Sequence, residues 1–237
     1  MKIHSELQQG SWDWITARAG KVCGSELRYL ITDKLKIRDW KSEMPNSYLH
    51  RKLAEKWRGQ ALESFSGSRQ TDQGVIYEEQ ARNYFSSFLE ADIQTIGGME
   101  SADEKCWASP DGIMGEDVGL EIKSPNPENQ VGWLLAGTVP EEHVLQVQFG
   151  LWVSGFKHWW FLAYCKDFPH LAISVDPNEE ISDLISEVVE DFNARLDAAF
   201  SKLVELNGGP PPKRRVFVPT PPEPGDMDYN DRPDINP

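Results

Sequence analysis

One eighteen-residue stretch, ASPDGIMGEDVGLEIKSP from Ala108 to Pro125, limits what this chain can fold into more than any other. Gly and Asp clusters between two apolar-edged runs predict a hairpin or tight strand connection. Side chains alternate along a strand, so Glu121 and Lys123 share one face of the second run and Leu120 and Ile122 the other. With Asp111 at the end of the facing strand, two carboxylates and an ammonium converge at a sheet edge.

That trio suits metal-assisted phosphodiester hydrolysis. Two carboxylates can hold Mg²⁺, a hard cation that takes oxygen ligands and keeps waters for a substrate phosphate. The metal lowers the pKa of a bound water and neutralises charge on the phosphoryl oxygens. Lys123 can orient the attacking water or stabilise the pentacovalent phosphorus. The spacing Asp-(x9)-Glu-x-Lys is that of the PD-(D/E)XK nucleases, and Pro110 keeps the proline before the aspartate. A surface hairpin with a Glu-x-Lys ion pair is the bland alternative.

The chain has 237 residues, 39% of them hydrophobic, with nine Trp and ten Phe, enough for a sizeable core. It contains no apolar run of about 18 residues, and its first residues carry no apolar signal segment, so neither a membrane span nor export is expected. Cys23, Cys106 and Cys165 lie far apart, which suits a reducing cytoplasm and offers no zinc or iron–sulfur spacing. The formal net charge of −14 argues at first against a nucleic-acid partner. Its distribution reverses that: residues 1–70 carry 13 Lys/Arg against 8 Asp/Glu, and every later segment is acidic. A cationic surface on one side of an acidic molecule is expected.

Along the chain, residues 10–33 read as a short helical start, a turn at Gly20 and a helix entered through Gly24-Ser25. Arg18 with a serine-capped helix start could bind phosphate, or be only a capped helix beside a solvated arginine. In KLKIRDWK (34–41) basic residues interleave with Leu35, Ile37 and Trp40, a pattern suited to tracking a nucleic-acid backbone or to a solvated face. Helices are expected at 47–65, with Arg51 and Lys52 among its positive charges, and at 73–90. The second has a buried stripe that includes Ala81, Tyr84, Phe85 and Phe88. Glu78 and Glu79 diverge by about 100°, so at most one faces the interior.

Strands follow at 92–99 and 105–109, then the hairpin and a helix near 128–136. Pro140 is expected to start a helix in which Gln146 needs a partner if buried. Two strands, 158–165 and 170–176, precede a long amphipathic helix over 178–206, stopped by Gly208-Gly209. Residues 208–237 form a proline-rich tail. The order predicts an α/β fold, a mixed β-sheet flanked by helices, with an N-terminal helical subdomain. Residues 1–207 are expected to form one domain: a basic helical part over 1–70 and a catalytic core over 71–207.

Several motifs in order then give a resemblance. SPDG…GLEIKSP is similar to SPDG…GLELKCP of the phage lambda exonuclease family, the alkaline exonucleases of viral recombination. LQVQFGLWV resembles that family's AQVQYSMWV, YEEQARNYF its YENDARTLF, and SYLHRKLAE its SYFHTLLAE. The likeness covers roughly residues 10–205 and implies a restriction-endonuclease-like PD-(D/E)XK core. It implies Asp111, Glu121 and the Ile122 carbonyl as metal ligands, Glu78 at a second metal, and Lys123 and Gln146 as catalytic neighbours. Arg18, Ser25 and Ser109 would grip a terminal 5′ phosphate. The implied activity is Mg²⁺-dependent 5′→3′ digestion of linear duplex DNA, with Mn²⁺ substituting and two ions per site. The products are mononucleotides and a 3′ overhang. A ring-shaped homotrimer, a single-strand annealing partner and the cytoplasm of a bacterial host of a phage or prophage are implied with it. The proline-rich tail has no counterpart in the family. An endonuclease of restriction or repair type and a non-catalytic DNA-end-binding module are the competing readings.

Overall fold

The computed structural model describes residues 1–62 and 69–211, with the backbone alone for residues 69–76. Most of the proline-rich tail therefore lies outside the described residues, whereas the helix expected over 47–65 runs instead over Glu43–Arg58 and is stopped by Gly59 in the left-handed conformation.

The chain opens with strand β1 (Lys2–His4), helix α1 (Trp12–Ala17), strand β2 (Val22–Cys23) and a 3-10 helix, Gly24–Tyr29. Helices α2 (Glu43–Arg58) and α3 (Arg69–Leu89) follow. Strands β3 (Gly98–Glu100), β4 (Cys106–Ala108), β5 (Gly112–Met114) and β6 (Val118–Lys123) come next. Helices α4 (Pro127–Ala136) and α5 (Glu141–Ser154), strands β7 (His158–Ala163) and β8 (Leu171–Val175), and helix α6 (Glu179–Asn207) complete it.

The strands form two mixed four-stranded sheets, ordered β1-β3-β4-β2 and β5-β6-β7-β8. A single sheet was the expectation. The division falls at Ser109-Pro110, where proline supplies no ladder N–H and the chain passes from β4 to β5. In each sheet one pair is parallel, β2 with β4 and β6 with β7. As expected for its near-continuous apolar run, β7 is an interior strand.

Burial follows strand alternation. On one face of the second sheet, Leu120, Ile122 and Leu162 pack with Ala81 and Phe85 of α3. On the other, Phe161, Ala163 and Trp159 join the main core with α5 and α6. Helix α5 is buried nearly all round, as an apolar helix crossing a core must be. Val22, Leu27, Ile31 and Tyr48 belong to that same core, so the first 58 residues pack into the body of the fold.

Several local expectations need correction. The helix at Ser25 is a 3-10 turn, and Pro140 is the N-cap of α5 rather than its first residue. Of 92–99 only the last two residues are strand, with an isolated bridge from Gln94 to Ile113. Tyr84 and Phe88 lie on the surface, because the sheet is wide enough to cover only the Ala81–Phe85 side of α3. Lys52 is buried, held by Glu26 and Glu55, instead of adding to a basic face.

Candidate active site

The hairpin closes as its alternation requires, with Gly112 opposite Leu120 and Met114 opposite Val118. Asp111 sits one residue before β5, its N–H donating to the Leu120 carbonyl at 2.9 Å. Its Oδ2 accepts the Ile122 N–H at 2.6 Å, so the carboxylate lies against β6. Glu121, 2% exposed, accepts from Lys123 Nζ and, at 2.6 Å, from Gln146 Nε2 of α5.

The spacing of β6 and α5 depends on Trp159. A Cβ on Gly119 would lie 2.2 Å from its indole, and one on Gly150 2.5 Å. Both glycines are therefore required by the close approach of a buried ring rather than by a turn. Trp159 fills the gap they leave, and β6 and α5 seat against it at the separation that lets Gln146 reach Glu121.

Parallel pairing builds the other wall. Cys23 of β2 lies opposite Trp107 of β4, and two residues beyond each are Ser25 and Ser109. The Ser109 hydroxyl accepts from the indoles of Trp107 at 2.8 Å and Trp14 at 3.2 Å. Arg18 caps α1, lies 4.5 Å over the Trp14 ring, and reaches Glu26 at 4.0 Å.

One cavity of about 250 Å³ is lined by Arg18, Ser25, Ser109, Glu78, Asp111, Glu121, Ile122, Lys123 and Gln146. All nine residues singled out in the sequence thus border the same space. Glu78 faces it while Glu79 is exposed, as their angular separation requires. Two contributors were not singled out. Trp14 links Arg18 to Ser109, and Arg82 pairs with Glu78 while donating to the Asp111 carbonyl at 2.8 Å. Arg82 stands four residues after Glu78, a helical spacing that could have flagged it.

The electrostatics are those of an acidic site in low dielectric. Burial, then the charges of Glu121 and Glu78, push the Asp111 carboxyl well above its usual range, against the pull of Lys123. Glu121 is raised by burial although Lys123 opposes this. Burial disfavours the Lys123 charge, but Glu121 and Asp111 outweigh it and keep the ammonium protonated. A buried and a half-buried carboxylate that repel each other across a cavity are a donor set for a cation.

Among the described residues, no three His, Cys, Asp or Glu side chains group closely enough to hold a metal unaided. Glu78 is turned toward Arg82, which leaves the Asp111 and Glu121 carboxylates as the acidic donors that could hold an ion together with water. These all-oxygen donors suit a hard divalent ion.

Residues 13–157 match the family model described as YqaJ-like viral recombinase domain. The fold is similar to that of the alkaline exonuclease LHK-Exo from Laribacter hongkongensis, which has also been solved in complex with dAMP. The TM-score is 0.72 at 21% identity, covering 83% of this chain and 97% of that one. A phage-related exonuclease from Haemophilus somnus 129PT gives a TM-score of 0.57 at 15% identity, over 77% of this chain and 96% of that one. No curated protein matches the sequence.

Proposed function

Since the chain belongs to the YqaJ-like viral recombinase domain family, we propose that it is a metal-dependent exonuclease that digests linear double-stranded DNA from the 5′ end. The family and the alkaline-exonuclease fold support a nuclease of phage-type recombination. The observation that carries the finer reading is the convergence of Asp111, Glu121, Lys123 and Gln146 with Arg18, Ser25 and Ser109 on one cavity.

In this reading Asp111, Glu121 and the Ile122 carbonyl would hold Mg²⁺ or Mn²⁺. Glu78 would serve a second ion once released from Arg82. An ion held there would supply an activated water and neutralise charge on the oxygens of the scissile phosphate. Gln146 holds Glu121 in orientation, and Lys123 would set its ammonium against the negative charge that builds on the phosphoryl oxygens. Arg18, Ser25 and Ser109 receive the terminal 5′ phosphate, which selects a DNA end over an internal site. Products are 5′-mononucleotides and a 3′ overhang. A homotrimeric ring around the duplex would give processivity and pass the overhang to a single-strand annealing protein, in the cytoplasm of a phage-bearing bacterium.

The test is an end-labelled linear duplex with and without its 5′ phosphate. Metal-dependent release of mononucleotides from the 5′-phosphorylated strand is expected. Equal cutting of a closed circle would replace the exonuclease with an endonuclease. End binding without turnover in Mg²⁺ or Mn²⁺ would leave a binding module.

A further inference from the structure

Beside the catalytic cavity lies a second one, of about 640 Å³, and the two share Arg18, Ser25, Lys123 and Gln146. What distinguishes the second is its outer wall, which Arg28, Arg38, Arg51 and Tyr29 all line. Arg28 and Arg51 each hold a guanidinium 5.5 Å from the Tyr29 ring centre. Arg38 donates its Nε to the Arg28 carbonyl at 2.8 Å, which fixes the direction of its planar head. Arg51 is anchored on Glu26, while its own Nε is buried with no hydrogen-bond partner among the described residues.

Five cationic side chains (those three with Arg18 and Lys123) face three carboxylates, Glu26, Asp33 and Glu142. Glu26 is taken up by Lys52 and Arg51, and Lys123 by Glu121, so the excess rests on Arg18, Arg28 and Arg38 against Asp33 and Glu142. His143, also on this wall, stays neutral, because burial and then Lys123 pull its pKa down to about 4. A local positive excess in a chain of net charge −14 concentrates field in a concave space. Planar guanidinium groups suit phosphate oxygens, and Tyr29, stacked on Tyr48 with ring centres 5.4 Å apart, has one ring face left to offer a base. Of the basic loop 34–41, only Arg38 borders this cavity.

We propose that this basic cavity is a second phosphate subsite, which takes the backbone of the DNA strand beyond the nucleotide seated in the catalytic cavity, with a base against Tyr29. The identity of the strand rests on the nuclease reading; the capture of phosphate does not. A phosphate could equally come from the released mononucleotide, and the experiment separates the two sources.

Binding of a 5′-phosphorylated duplex is measured against salt concentration with Ca²⁺ in place of Mg²⁺. Arg28 is exposed and Arg38 half-buried, so Arg28→Ala with Arg38→Ala should fold. Each phosphate contact adds roughly 0.9 to the slope of log K against log salt for B-DNA. The double variant should therefore lose about 2 from that slope and bind at least ten-fold more weakly, and Arg28→Ala alone should lose about 1. Lys202→Ala, an exposed lysine on α6, should keep the wild-type slope. In Mg²⁺, inhibition by added dAMP should be unchanged in the double variant. Wild-type affinity and slope in a folded double variant would overturn the subsite. Weakened dAMP inhibition would overturn its assignment to the strand. Absence of cleavage by the wild-type protein in both Mg²⁺ and Mn²⁺ would instead sink the nuclease reading and leave the binding result standing.

Discussion

The two adjoining cavities share a wall and are built in opposite ways. The catalytic one takes four of its polar groups from regular elements, Glu121 and Lys123 from β6, Gln146 from α5 and Glu78 from α3, and Asp111 from the residue before β5. Each is held by a specific partner, and Trp159 between Gly119 and Gly150 sets the strand-to-helix distance. The basic cavity takes its three outer arginines from the 3-10 helix, the loop that follows it and α2, held through Tyr29, Glu26 and a peptide carbonyl. The difference teaches that groups meant to meet a reacting atom are placed by backbone, whereas groups meant to attract a charged polymer can be placed by side chains.

The largest effect should break the two cavities apart functionally. Lys123→Ala is expected to lower the cleavage rate about 10³-fold, of the order of 4 kcal/mol in barrier, with end binding retained. Single-turnover kinetics beside a binding titration would show it, and equal loss of both would erase the distinction. Next is the brace behind the basic wall. Burial works against a charge on Glu26, but Lys52 and Arg51 hold its carboxyl below the usual range. Glu26→Gln leaves Lys52 buried with less compensation, and denaturant unfolding should register a loss of about 3 kcal/mol.

The catalytic spacing can be tested with Gly119→Ala, which forces a methyl group into the Trp159 indole. A destabilisation of about 1–3 kcal/mol is expected, with slower cleavage as Glu121 shifts from Gln146. Pairing it with Trp159→Leu should recover part of both, and no recovery would remove Trp159 from this role. The smallest effect belongs to His143, where solvent reaching the ring screens the interaction. Its folded pKa, about 4, lies below the unfolded value near 6.5. The unfolded chain therefore binds more protons between those values, and stability is lost as pH falls from about 6.5 toward 4. His143→Phe should flatten that part of the unfolding-midpoint profile against pH.

How much of this was legible differs by residue. The relation of Glu121 to Lys123, and of both to Leu120 and Ile122, follows from strand alternation alone. The choice of Glu78 over Glu79 follows from helical rotation once one face is known to be buried by Ala81 and Phe85. The exposure of Tyr84 and Phe88 and the burial of Lys52 were not legible, because a stripe pattern does not reveal how wide a surface the neighbouring layer offers.

By itself, then, the sequence determined the hairpin, the faces of β6 and the apolar character of α5, since each rests on geometry repeating over two to four residues. Tertiary structure alone decided that Ser25 and Ser109 border one cavity, that Gln146 meets Glu121, and that Arg28, Arg38 and Arg51 line one wall with Tyr29. Those meetings depend on which strands pair in parallel and on how closely two glycines let a tryptophan approach, and chain separation carries no information about either.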